Sequence, residues 1–86
     1  MQKPNVVVEI VSVFDIYSRP DCIWCNRAKE LLFKEGIEYN DYDINQNLLR
    51  EELKSKVPGV KTIPQIFKSG VRIGGYQDLV NYLEEK

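Results

Sequence analysis

Two cysteines, Cys22 and Cys25, are the residues of this chain most able to do chemistry, and they sit three positions apart with nothing but Ile23 and Trp24 between them. The chain contains no histidine, which removes the usual general base, the Cys–His and Ser–His nucleophile pairs and the commonest zinc ligand. A nucleophile here must be activated by its electrostatic surroundings alone. A secreted disulfide scaffold would spread its cysteines to close long loops, whereas this spacing suits a reactive pair. Two sulfurs are also too few for a zinc site of about four ligands, so no metal site is expected.

The expected roles follow from where the pair stands. A helix opens at the cysteines, with Trp24, Ala28, Leu31 and Leu32 at helical spacing and Gly36 as its stop. Unpaired N–H groups and the positive end of the helix dipole favour a thiolate on the first cysteine. Cys22 is therefore read as the nucleophile. Cys25, one turn on, stays within reach but lies farther inside, as a resolving thiol that keeps its proton until needed. Beside them Arg19 favours ionisation and Asp21 opposes it.

The elements that must position this pair are short. Residues 1–5 read as a disordered lead and residues 6–17, rich in β-branched side chains, as strand in one or two pieces. Residues 37–44 form a second strand, and Asn45 is expected to cap a helix marked by Leu48, Leu49, Leu53 and Val57, closed by Pro58-Gly59. Residues 63–67 and 71–73 pair as a hairpin turned at Lys68-Ser69-Gly70, and Tyr76, Leu79, Val80 and Leu83 mark a final amphipathic helix. The order β-α-β-α-β-β-α predicts an α/β, thioredoxin-like fold: a four-stranded mixed β-sheet flanked by three helices, with residues 1–86 as one domain.

Two further stretches carry weaker signals. Thr62-Ile63-Pro64 places a proline at the opening of a strand, either as a plain edge proline or as a cis peptide that presents the Ile63 backbone to an extended ligand. Gly74-Gly75-Tyr76-Gln77-Asp78 is either a strand-to-helix turn capped by Gln77 or Asp78, or a carboxylate site made of free helix N–H groups.

Composition narrows the partners. Twelve Lys and Arg against thirteen Asp and Glu leave a net charge of −1, which offers no broad basic field for nucleic acid. The apolar run at residues 6–14 is broken by Glu9 and Ser12, too short for a membrane span and without a small-residue cleavage site. The expectation is a soluble, unprocessed, cytoplasmic monomer.

Taken together, Tyr17-Ser18-Arg19-Pro20-Asp21-Cys22-Ile23-Trp24-Cys25, Thr62-Ile63-Pro64-Gln65-Ile66-Phe67 and Ile73-Gly74-Gly75-Tyr76-Gln77-Asp78-Leu79 resemble, in order and spacing, three motifs of the dithiol glutaredoxins. The resemblance spans residues 11–83. It implies a glutathione-dependent thiol–disulfide oxidoreductase acting on protein disulfides and glutathione mixed disulfides, with glutathione as co-substrate and no permanently bound cofactor. It places Arg19 opposite the glycine carboxylate of glutathione, Trp24 as the aromatic residue of the site, and Thr62 and Ile63 before a cis Pro64 against its cysteinyl backbone. Gly75, Tyr76 and Gln77 then face the γ-glutamyl carboxylate, with Asp78 beside them. A family Gln that meets the glycine carboxylate falls at Glu51, where Lys61 would offset the charge.

The resemblance also allows electron donation to enzymes such as ribonucleotide reductase. Its rival implication is a dimeric carrier of a glutathione-ligated iron–sulfur cluster. Ile23 and Trp24 depart from the family's usual Pro-Tyr between the cysteines, which frees a backbone N–H and loosens the turn.

Overall fold

A computed structural model describes residues 13–85. The chain runs β1 (Phe14–Ser18), α1 (Ile23–Lys34), β2 (Tyr39–Asp43), α2 (Asn47–Lys56), β3 (Gln65–Lys68), β4 (Val71–Gly74) and α3 (Tyr76–Glu85). The strands form one four-stranded sheet in the order β2-β1-β3-β4. β1 and β2 are parallel, and β3 is antiparallel to both β1 and β4. This is the mixed, thioredoxin-like sheet that the element order predicts. The part of the expected first strand before Val13, like the lead at residues 1–5, lies outside the described residues.

Strand alternation sorts the core into two layers. Phe14, Ile16 and Ile66 meet Ala28 and Leu32 of α1 and Leu79 of α3 on one face. Tyr17 and Phe67 meet Leu53 of α2 on the other, joined by Tyr42, Val57 and Ile63. Tyr17 stacks on Tyr42 with ring centroids 5.0 Å apart and receives Phe67 edge-on at 5.7 Å. The central strand β1 is therefore clamped from both sides, and its last residue, Ser18, is fixed only four positions before Cys22.

One turn differs from the sequence expectation, and another follows one of its two readings. Asn45 does not cap α2: that position belongs to Gln46, whose side chain makes no capping bond. Instead the Asp43 carboxylate accepts the Asn45 backbone N–H at 2.9 Å, so the polar turn residue acts before the helix begins. At α3 the Asp78 carboxylate accepts the Gly75 N–H at 3.0 Å, half of a capping box. Gly74 precedes it at φ +125°, a conformation that excludes an ordinary side chain.

The packing gives a sharp contrast within α1. Leu32 is fully buried while its neighbour Phe33 is 79 % exposed. Leu32→Ala should lower the unfolding free energy by about 2–5 kcal/mol. Phe33→Ala should change it by no more than about 0.5 kcal/mol. Urea denaturation of both variants checks the assignment of the core-facing side.

Candidate active site

Cys22 is the N-cap of α1: its backbone is extended, and its Sγ accepts the Cys25 N–H at 3.1 Å. The sulfur thus stands where a Ser or Asp oxygen usually satisfies an orphan helix donor. A sulfur anion accepts such a bond more strongly than a neutral thiol does. The turn that leads into it is closed by the Cys22 N–H donating to the Arg19 carbonyl at 3.3 Å. Cys22 is partly exposed, and Cys25 is fully buried.

The buried thiol is electrostatically perturbed. Burial first, and then its hydrogen bond with Cys22, push the Cys25 thiol from about 9 up to about 12. A backbone hydrogen bond from Arg19 and, less strongly, the charge of Lys29 pull the other way. Cys25 keeps its proton in the resting fold.

Facing the pair is the loop before β3. The Ile63–Pro64 peptide is cis, and the Ile63 carbonyl oxygen lies 3.9 Å from Cys22 Sγ. Gln65 braces this loop from below: it is buried, its amide donates to the Thr62 carbonyl at 3.0 Å, and its oxygen accepts Arg72 Nε at 2.9 Å. Arg is donor only, so the orientation of the Gln65 amide follows from its partners. A buried polar side chain with both ends satisfied sets the height of the loop over the sulfur.

Two hollows are lined by residues of the site, though not by Cys22 itself. One, of about 200 Å³, is bounded by Arg19, Arg50, Lys54 and Lys61 and floored by Leu53 and Ile63. Four cations and no acid line it. The other, of about 340 Å³, lies between Trp24 and the head of α3 at Gly75, Tyr76 and Gln77. Trp24, 49 % exposed, packs on Tyr76 with ring centroids 5.4 Å apart, and the Arg27 guanidinium lies 4.8 Å over the indole. A larger hollow of about 470 Å³, between β4 and α3, holds neither cysteine and none of the sequence-derived site residues except Asp78. Chemistry rather than size identifies the site here.

The structure therefore gathers the predicted residues into three groups: Cys22 with Ile63, Arg19 with Thr62 and Ile63, and Trp24 with Gly75, Tyr76 and Gln77. Glu51 is the exception. It is exposed, pairs with Lys54 at 3.6 Å and does not line the cationic hollow. Its neighbour Arg50 does, held by the Ile44 carbonyl at 3.2 Å and by the Asn47 side chain. Sequence spacing did not single out Arg50, although it stands three residues before Leu53, the buried anchor of α2, which puts both on one side of the helix.

A profile described as "Glutaredoxin" matches residues 14–73. The chain is 38 % identical over 65 residues to glutaredoxin 3 of Escherichia coli strain K12, covering 76 % of this chain and 78 % of that one. Among solved structures it is similar to a glutaredoxin from Brucella melitensis, with a TM-score of 0.68 and 41 % identity over 84 % of this chain and 78 % of the other. It is also similar to reduced Escherichia coli glutaredoxin, with a TM-score of 0.71 and 34 % identity over 85 % and 94 % of the two chains.

The buried thiol has a measurable signature. Its folded-state titration lies near 12 against about 9, so the folded state holds a proton that the unfolded chain releases between those values. This stabilisation is fully present below pH 9 and disappears as the pH rises toward 12. Tyr17 and Tyr42, also raised mainly by burial, add a loss of the same sign above their ordinary range. Melting midpoints of the reduced protein should therefore fall from pH 9 to 11, and fall less in Cys25→Ser, which keeps the tyrosines. Equal slopes would remove Cys25 as a titrating group.

Proposed function

The chain belongs to the glutaredoxin family of thiol–disulfide oxidoreductases, and from that premise we propose that it reduces protein disulfides and glutathione mixed disulfides with glutathione as its electron source. The observation that carries this reading is the asymmetry of the pair. Cys22 Sγ is accessible and accepts a helix N–H, while Cys25 is buried and protonated one turn behind it.

In the proposed cycle, Cys22 thiolate attacks the sulfur of a glutathionylated substrate that comes from glutathione. A Cys22–glutathione disulfide forms, the substrate sulfur leaves as a thiolate and takes up a proton. A second glutathione thiolate then attacks the glutathione sulfur of that adduct, releasing glutathione disulfide and restoring Cys22. With a protein disulfide, Cys22 forms a mixed disulfide with one substrate sulfur. Cys25 next attacks Cys22 Sγ, the substrate leaves as a dithiol, and the Cys22–Cys25 disulfide is returned to two thiols by two glutathiones. Exchange through thiolates in line with these sulfurs needs no metal or further cofactor.

The surroundings support glutathione as the ligand. A tripeptide with a carboxylate at each end suits a sulfur flanked by two anion-accepting features. The cationic hollow with Arg19 and Lys61 would take the glycine carboxylate, and Arg50, which also lines it, adds a charge that Glu51 does not oppose from inside. The head of α3 at Tyr76 and Gln77 would take the γ-glutamyl carboxylate through backbone N–H groups. The Thr62–Ile63 backbone, braced by Gln65, would pair with the cysteinyl residue between them. Trp24 would wall the site on the α3 side.

Single substitutions separate the two roles. Cys22→Ser should abolish both reactions while preserving the fold, since a serine hydroxyl can cap α1 in place of the thiol. Cys25→Ser should retain deglutathionylation of a glutathionylated peptide and lose reduction of a protein disulfide such as that of insulin. Turnover by the Cys22 variant would overturn the assignment of the nucleophile, and deglutathionylation with equal rates for any small thiol would overturn the choice of glutathione.

A further inference from the structure

A positive charge near a buried thiol favours its ionisation, and the chain has no histidine to provide one. Lys29 stands four residues after Cys25, one turn along the same side of α1. Its side chain is only 20 % exposed, and its Nζ lies 3.0 Å from Asp41 Oδ2 on β2. The second oxygen of Asp41 accepts the hydroxyl of buried Ser18 at 2.6 Å, at the very end of β1. Three elements thus converge to fix one ammonium beneath the active-site helix.

An ordinary surface lysine is a mobile, well-solvated charge. This one is tethered at a defined place by a carboxylate that is itself held from a second direction. In the reduced pair, Cys22 on the same helix disfavours a negative charge on Cys25, while the Arg19 backbone N–H and then Lys29 favour one. Asp41 on β2 stands behind the ammonium. Lys29 is the only side-chain cation in that set.

We propose that Lys29, anchored by Asp41 and Ser18, is a positioning residue for the resolving step, presenting a fixed positive charge toward the Cys25 thiolate as it forms. The inference rests on the roles given above to Cys22 and Cys25. In the step concerned, Cys25 gives up its proton to water and its thiolate attacks Cys22 Sγ. The Cys22–Cys25 bond forms, the bond from Cys22 to the substrate sulfur breaks, and the departing substrate thiolate takes up a proton from water. Lys29 exchanges neither electrons nor protons. It acts through space on a group that carries a proton before the step and a negative charge during it. The attack by Cys22, which precedes it, makes no such demand.

The test uses the full chain, pre-reduced and mixed with excess insulin in a single turnover, with no glutathione present. Acid quenching and alkylation, followed by mass analysis, count the Cys22 mixed disulfide and the Cys22–Cys25 disulfide over time. Lys29→Gln should leave formation of the mixed disulfide unchanged and slow its resolution by about tenfold near pH 7, the equivalent of about one pK unit. The pH profile of resolution should move to higher pH by a similar amount, and Lys29→Arg should restore both.

Resolution at the wild-type rate in Lys29→Gln would overturn the proposal. So would equal slowing of both steps with an unmoved pH profile, which is what a purely structural ion pair would give. Because no glutathione enters the assay, failure of the glutathione reading leaves this result intact, and the reverse also holds.

Discussion

The hydrogen bond from the Cys25 N–H to Cys22 Sγ ties the folding of α1 to the chemistry of its first residue. A helix leaves its first N–H groups without intrahelical partners, and something at the N-cap must receive one of them. Here a sulfur does so. One interaction therefore both ends the turn that follows β1 and sets the direction of the reactive atom. Everything around it can be understood as holding that geometry in place. Strand β1 brings Ser18 to a fixed point, the Arg19 carbonyl closes the turn, and Leu32 and Ala28 pin the helix to the sheet.

Around this cap Gln65, Ser18 and Asp41 each have a named partner. Gln65 is buried between the Thr62 carbonyl and Arg72. Ser18 is buried and donates to the partly exposed carboxylate of Asp41, which pairs in turn with Lys29. Gln65 and Ser18 would destabilise the interior if left unpaired. Each instead connects an element carrying the site to an element outside it. Gln65 sets the loop facing Cys22 relative to β4, and the Ser18–Asp41–Lys29 chain sets α1 relative to β2. A small domain has little core with which to hold loops rigid, and these few directional bonds provide much of the precision.

Much of this was legible in the sequence, for physical reasons that differ by element. The β-branched run that leads into β1, the 3.6-residue period of α1 and α3, and the glycine of the hairpin turn are local signals, and they placed the fold correctly. The cysteine pair was legible because a helix start and a three-residue spacing are also local. Asn45 was misread because Asn and Asp compete for the same turn, and only coordinates show that Asp43 won. The residues alone left Pro64 open between an edge proline and a cis bond, and the peptide is cis. Glu51 and Arg50 are adjacent on α2, and a small difference in helix phase decides which one faces the hollow. Lys29 with Asp41 and Ser18 joins residues from three separate elements, so no window of sequence contains it.

Trp24 is the single tryptophan of the chain, packed between the ring of Tyr76 and the guanidinium of Arg27 two residues after Cys22. The indole that walls the site is thus also an optical label built into it. Ultraviolet emission excited at the red edge of the protein band comes from this one ring, with no background from tryptophans elsewhere in the sequence. A change in the thiols or the arrival of a ligand against the wall alters the surroundings of the whole emitting population. Occupancy and redox state can therefore be followed in the unmodified protein by light alone, with the reporter already sitting beside the reacting sulfur.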